Sequence, residues 1–166
     1  MEIRRARQAD AAGLAQQMKV VADEGEWLAT QSDRSVEQLT TMFGDALEAA
    51  HILFVLEDDG RIVGSVGIHP TEISGVHSLG MSILPDFRGE GAGRRLLSAA
   101  VEAADAAKVR KIVLEVFPEN GRAIALYASA GFQVEGLKRD HYPRLDGTIR
   151  SSLLMARFLK ASADRR

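Results

Sequence analysis

The sequence predicts an α/β protein, in which a mixed and mostly antiparallel sheet of about six or seven strands is flanked by about four helices. Short β-rich runs and helical patterns follow one another in the order β-α-α-β-β-β-α-β-α-β-β. Tight turns connect some of the strands and helices connect others, which is typical of a mixed sheet with helices on both faces. A length of 166 residues fits a single domain over residues 1–166.

Composition narrows the classes of function. A net charge of -2 gives no general attraction to nucleic acid or to an anionic membrane, so a small partner is expected. The absence of cysteine excludes disulfides and thiol chemistry, and the four histidines lack a metal-binding spacing, so no metal is expected. No long apolar run appears, and a cytoplasmic location is expected.

The first fifty residues predict one strand and two helices. Residues 3–6 have strand character, and Asp10 is expected to cap a helix that carries Leu14, Met18 and Val21 on one face. Ser35 and Gln38 have the spacing of a capping box for the second helix. Its apolar face comprises Leu39, Met42, Phe43, Ala46 and Leu47.

The remaining elements follow from turn signals and hydrophobic periodicity. A hairpin over residues 52–56 and 61–69 is expected around Asp58-Asp59-Gly60. The nearly continuous apolar run 111–117 predicts a central strand covered on both faces. The other predicted elements are a strand at 75–84, a helix after residue 91, a helix from about 118 to 130, strands at 132–137 and 151–158, and a frayed tail at 161–166.

A glycine-rich loop lies between the strand 75–84 and the helix that follows it. Gly89, Gly91 and Gly93 alternate there, directly before an Ala/Leu-rich helical pattern. Glycine allows a ligand to approach the main chain, and the first turn of a helix has unpaired N–H groups and the positive end of the helix dipole. The loop is therefore a candidate phosphate site, with Arg88, Arg94 and Arg95 as nearby cations.

Two common phosphate loops fit this stretch poorly. No lysine follows the glycines, which excludes the Walker pattern. The dinucleotide pattern needs Gly-x-Gly-x-x-Gly and an acid about 20 residues later, whereas here the spacing is Gly-x-Gly-x-Gly. The candidate acid, Glu115, also falls inside a strand rather than at its end. A nucleotide-binding domain stays open as a weaker alternative.

A second informative block runs from Asn120 to Phe132. Asn120 and Tyr127 are seven residues apart, so on a helix they share one face and lie roughly 10 Å apart. Side chains on a helix lean toward its N-terminus, which here faces the carboxyl end of the preceding strand. Ligands of open α/β sheets bind at that edge.

Both blocks resemble motifs of the GNAT superfamily of N-acetyltransferases. Arg88-x-x-Gly91-x-Gly93 resembles the family's acyl-CoA pyrophosphate loop, and the second block resembles its Asn-x-x-Ala-x-x-x-Tyr-x-x-x-Gly-Phe pattern. The resemblance covers most of the chain from Ile52 onward. It implies direct transfer of an acetyl group from acetyl-CoA to a primary amine of a small molecule, an amino acid or a peptide N-terminus. A catalytically silent acyl-CoA-binding module is the alternative, and a homodimer is left open.

The resemblance also implies roles for particular residues. Tyr127 would serve the departing sulfur, and Asn120 would contact the cofactor arm. The base is less defined, because residues 78–83 lack the acid that the family often carries there; His77 and Glu115 are the candidates, with His69, Glu72 and a water chain also open. The expected cofactor-binding residues are Met81, Ile83, Leu84, Arg88, Gly89, Gly91, Ala92, Gly93, Arg94, Asn120 and Tyr127.

Overall fold

The computed structural model describes residues 1–29 and 33–159, so the expected frayed tail lies outside the described residues. Within that part of the chain, the order of strands and helices agrees with the sequence prediction. The strands are β1 (Glu2–Arg5), β2 (Ile52–Asp58), β3 (Arg61–Pro70), β4 (Val76–Ile83), β5 (Lys111–Val116), β6 (Gln133–Pro143) and β7 (Ile149–Phe158). The helices are α1 (Ala11–Asp23), α2 (Val36–Glu48), α3 (Ala92–Ala106) and α4 (Gly121–Ser129).

All seven strands form one mixed sheet in the order β1-β2-β3-β4-β5-β7-β6. The β4–β5 pair is parallel and the other neighbouring pairs are antiparallel. Parallel strands need a crossover, and α3 supplies it. The predicted fold class, a mostly antiparallel sheet with about four helices, is confirmed.

Local signals account for several of these boundaries. Ser35 Oγ accepts from the Gln38 N–H at 3.1 Å, and Gln38 Oε1 accepts from the Ser35 N–H at 2.8 Å, which completes the capping box of α2. Asp59 and Gly60 both have positive φ, 46° and 75°, as a tight hairpin turn requires. The hairpin of β2 and β3 is thus confirmed.

Three details differ from the prediction. Asp10 precedes α1, but its carboxylate accepts from the Arg7 N–H at 2.7 Å and does not cap α1. Strand β6 extends beyond residue 137, because Tyr142 and Pro143 pair with the start of β7. Only alternate residues of β5 are buried, so the strand is central but is not apolar on both faces.

The sheet separates two hydrophobic cores. Residues of α3 and α4, including Leu96 and Tyr127, pack on one face with Ile112 and Leu114 of β5. The helices α1 and α2 pack on the other face against β2 and β3. None of the helices in the described residues is long and apolar enough to span a membrane.

The parallel strands β4 and β5 diverge before β4 ends. Their paired residues stop at Ser78 and Val113, although β4 continues to Ile83. The direction of main-chain hydrogen bonding alternates along a strand, and the Leu84 N–H donates to the Val63 carbonyl of β3. The main-chain groups of Met81 and Ile83 therefore point to the β5 side, into the gap between the two strands.

Candidate active site

A cavity of about 1650 Å³ runs through this gap from one face of the sheet to the other. Gly93, Leu126 and Tyr127 line it on the α3/α4 face. Met42 and Phe43 of α2 line it on the opposite face. The divergence of β4 and β5 therefore opens one continuous space between two different sets of side chains.

The glycine loop forms one end of this cavity. Gly89 and Gly91 have φ of 95° and 78°, which L-residues rarely adopt, and a Cβ added to either would meet no heavy atom within 4 Å. The helix α3 begins at Ala92, and the Arg95 N–H donates to the Gly91 carbonyl at 3.1 Å as the first helical bond. The N–H groups of the helical residues before Arg95 therefore have no partner within the helix, and they can donate to an anion.

The arginines near the loop differ in their environments. Arg94 lines the cavity, and so does Arg122 of α4, which the sequence reasoning missed although it lies two residues after Asn120. Arg95 lies outside the cavity. The guanidinium of Arg88 donates to both carboxylate oxygens of Glu24 at 2.9 and 2.6 Å, so its charge is already compensated. Among these arginines, Arg94 and Arg122 therefore line the cavity without a carboxylate partner in the described residues.

Tyr127 lies on α4 with its side chain inside the protein and lines the same cavity as Gly91. Burial raises the pKa of Tyr127 to about 12, so its hydroxyl stays protonated at physiological pH. That hydroxyl makes no hydrogen bond within residues 1–29 and 33–159. It is a donor available to a ligand in the cavity.

The other expected cofactor residues divide into two groups. Asn120, Met81 and Ile83 line the cavity, and Asn120 Oδ1 also caps α4 by accepting from the Ala123 N–H at 3.1 Å. The Ile83 carbonyl accepts from Arg88 Nε at 2.8 Å, which leaves its N–H for a ligand. Leu84 does not fit its expected role, because it lies outside the cavity and its N–H is used by β3.

Glu115 lines the cavity from β5 and accepts three side-chain hydrogen bonds. Lys138 Nζ donates to Oε1 at 2.6 Å, while Ser152 Oγ and the Tyr142 hydroxyl donate to Oε2 at 2.7 and 3.0 Å. Burial alone would raise the pKa of Glu115, but the hydrogen bonds from Lys138, Ser152 and Tyr142 outweigh it and lower that pKa. Glu115 is therefore a firmly ionised carboxylate within the cavity.

His77, the other candidate base, does not lie near Glu115 in the cavity. It pairs with Ile112 of β5, so it faces the α3/α4 side of the sheet, and it lies outside the cavity. Its Nδ1 is buried without a hydrogen-bond partner in the described residues, and burial followed by repulsion from His51 lowers its pKa. The position of His77 gives no support to a role as base. His69, which stacks on His51, does line the cavity.

A short segment after α1 covers the cavity on the α1/α2 face. Trp27, Leu28 and Ala29 line the cavity there. Arg144, which is 9% exposed, donates to the carbonyls of Leu28 at 3.0 Å and Gly25 at 3.1 Å. Arg150 donates to the Glu26 carbonyl, and Arg88 binds Glu24. No local sequence pattern predicts these links, because each joins residues more than 60 positions apart.

The structure combines a gap between the parallel strands β4 and β5, a glycine loop and a tyrosine that lines the same cavity as the loop. These features define a class of α/β protein that binds a phosphate-bearing ligand where two parallel strands diverge. A family model described as "Acetyltransferase (GNAT) family" matches residues 20–132, well over half of the chain. The chain therefore belongs to this acetyltransferase family, as its two motifs indicate.

Individual relatives agree with this family. The protein is 38% identical over 107 residues to the N-alpha-acetyltransferase RimI of Mycobacterium tuberculosis, a match that covers 60% of this chain and 64% of that protein. The match thus spans less than two thirds of the relative's own length.

Solved structures show the same fold. The ribosomal-protein-alanine N-acetyltransferase from Brucella melitensis superposes with a TM-score of 0.81 at 25% identity, over 96% of this chain and 100% of that chain. A phosphinothricin acetyltransferase from Sinorhizobium meliloti, solved in complex with AcCoA, superposes with a TM-score of 0.87 over 99% and 91% of the two chains. The latter is 19% identical and supports the fold alone.

Proposed function

We propose that residues 1–166 form a single-domain N-acetyltransferase that uses acetyl-CoA and acts on the α-amino group of a protein or peptide N-terminus. One observation carries this proposal: the same cavity joins the glycine loop and Tyr127 on one face of the sheet to Glu115 on the other. The names of the mycobacterial and Brucella relatives support the class of acceptor.

The cavity fits acetyl-CoA, whose thioester supplies the acetyl group. The N–H groups at the start of α3 would hold the diphosphate, together with the guanidinium groups of Arg94 and Arg122. The main-chain groups of Met81 and the main-chain N–H of Ile83, in the β4–β5 gap, would bind the pantetheine arm. Each of these groups is one that the fold leaves available within the cavity.

Tyr127 would act as a hydrogen-bond donor rather than as a full acid. Its pKa of about 12 is well above the pKa of a free thiol, near 8.5. Complete proton transfer to a thiolate would therefore be uphill by about 5 kcal/mol. A hydrogen bond to the charge that develops on the departing sulfur stabilises the transition state without this transfer.

The properties of Glu115 favour an α-amine as the acceptor. At pH 7 the loss of the amine's proton costs about 1 kcal/mol for an α-amino group and about 4.6 kcal/mol for a lysine-like amine. A carboxylate with a lowered pKa is a weak base, so it suits the easier deprotonation. Glu115 would attract the acceptor ammonium and pass its proton to water.

The three donors already bound to Glu115 also support a second candidate function, that of a module that binds acyl-CoA without catalysis. If acceptors cannot displace these donors, the protein would be a catalytically silent acyl-CoA-binding module. Binding of acetyl-CoA without turnover would distinguish this alternative from an enzyme.

A transfer assay tests the proposal. Purified protein is incubated with acetyl-CoA and short peptides that carry both a free α-amine and an internal lysine, and with the same peptides blocked at the α-amine. A panel of small amines and free amino acids forms a second arm. We expect release of free CoA and acetylation at the α-amine, located by fragmentation in a mass spectrometer. Transfer to lysine or to small amines alone would contradict the proposed acceptor, and binding without transfer would favour the silent module.

A further inference from the structure

Two glycines face each other in the middle of the sheet. Gly67 of β3 pairs directly with Gly80 of β4, and both line the cavity. Glycine weakens a strand, because it adds conformational entropy to the unfolded chain and contributes no side-chain packing. A glycine within a strand often marks a place where a ligand or another backbone approaches closely.

The space above the two glycines differs. A Cβ on Gly67 would lie 3.1 Å from Leu53 Cδ1, so a core side chain already fills the space above this residue. A Cβ on Gly80 would meet no heavy atom within 4 Å. The missing side chain at Gly67 is therefore explained by packing, whereas the space above Gly80 is open to the cavity.

Gly80 also lies at the point where the sheet opens. It is two residues beyond Ser78, the last residue of β4 that pairs with β5. Ser78 pairs with Val113, and strand alternation places Gly80 and Glu115 on the same face of the sheet as these two residues. Gly80 and Glu115 therefore flank the gap on the α1/α2 face, opposite the glycine loop and Tyr127.

We propose that Gly80 determines acceptor specificity, and that the side chain of the acceptor's first residue occupies the open space above it while the α-amine lies toward Glu115. This inference rests on the proposed function. It adds the prediction that the acceptor is a peptide whose N-terminal residue has a side chain larger than that of glycine.

The test is a series of substitutions, Gly80→Ala and Gly80→Val, with Gly136→Val as the matched control. Gly136 is also a strand glycine with open space above it and an ordinary φ, but it lies on β6 outside the cavity. Peptides that differ only in a first residue of Gly, Ala, Ser, Leu or Phe serve as acceptors. Initial rates give kcat/KM, and calorimetry gives the affinity of each peptide for the protein saturated with CoA.

The expected result is a loss of selectivity for large first residues. Gly80→Val should lower kcat/KM and affinity by about tenfold or more for peptides that begin with Leu or Phe, because it places three carbon atoms in the pocket and a single methylene already changes discrimination on that scale. For peptides that begin with Gly, kcat/KM and affinity should change by less than about threefold. Affinity for CoA and the melting temperature should stay close to those of the wild type, and Gly136→Val should leave the selectivity unchanged.

The results separate this inference from the proposed function. An equal decrease in kcat/KM for every peptide, or no change with Gly80→Val, would overturn the inference. In that case, acetyl transfer by the wild-type protein would still support the proposed function. Peptide binding that depends on the first residue and on position 80, without any acetyl transfer, would support the inference and contradict the function. A wild-type protein that binds none of the peptides would overturn the inference.

Discussion

Arg88 forms a bidentate ion pair with Glu24, at Nη1–Oε2 and Nη2–Oε1 distances of 2.9 and 2.6 Å. Arg88 directly precedes the glycine loop, and Glu24 directly follows α1. The two side chains are 23% and 21% exposed, so the pair is partly shielded from water. It connects the loop on one side of the gap to the segment that covers the cavity on the other side. Under the proposed function, this ion pair would link the site for the cofactor to the site for the acceptor.

The first prediction concerns this link. Glu24→Gln should raise the KM for the acceptor several-fold and lower the free energy of unfolding by about 1–2 kcal/mol, because hydrogen bonds between charged groups contribute on that scale. Glu26→Gln is the control, since it makes the same charge change at an exposed side chain two residues away. Steady-state kinetics and denaturant titration measure both effects. Equal behaviour of the two variants would argue against the link.

The second prediction concerns the hydroxyl of Tyr127. Tyr127→Phe should lower kcat by about 100-fold, since the loss of one donor to a developing charge typically costs that much or more. The hydroxyl has no partner among the described residues, so the melting temperature should change little. Affinity for CoA, measured by calorimetry, should stay within about twofold of the wild type. An unchanged kcat would remove Tyr127 from the mechanism.

The third prediction concerns the arginines that begin α3. Arg94→Gln should weaken CoA binding several-fold at low salt, and this difference should shrink as salt is added, because Arg94 lines the cavity and its charge is exposed to screening. Arg95→Gln is the matched control, as the next residue is also exposed but lies outside the cavity. Titration with CoA at two salt concentrations measures the effect. Similar losses in both variants would place the phosphates elsewhere.

The fourth prediction follows from the lowered pKa of Glu115. A carboxylate whose pKa is lower in the folded state stabilises the protein above its unfolded-state pKa, near 4.3 for Glu, and this contribution is lost as the pH falls through the folded-state value. Glu115→Gln should therefore lower the melting temperature at pH 7, and the difference from the wild type should shrink as the pH falls below about 4.3. A difference that is independent of pH would show that charge is not its origin.

Sequence reasoning predicted the parts of the site that depend on short-range pattern. The glycine spacing at 89–93 indicated a phosphate loop, and the Asn120–Tyr127 spacing predicted a shared helix face that the structure places along one cavity. The order of elements and the capping box at Ser35 follow from equally local signals. These features depend on neighbours within about two helical turns.

The remaining features depend on pairs that are distant in the chain. The charge of Arg88 was expected at the loop, but Glu24, 64 positions away, compensates it. The environment of Glu115 depends on donors from β6 and β7, and the open space above Gly80 depends on how β4 and β5 diverge. Neither could be inferred from composition or periodicity, because both result from the register of the folded sheet.

The central claim is that cofactor and acceptor meet in the gap between β4 and β5. A crystal structure of the protein with CoA tests this claim most directly. We expect the diphosphate oxygens within hydrogen-bond distance of the N–H groups at the start of α3, and the CoA sulfur within about 3.5 Å of the Tyr127 hydroxyl. A diphosphate bound away from Gly91, or a sulfur remote from Tyr127, would contradict it.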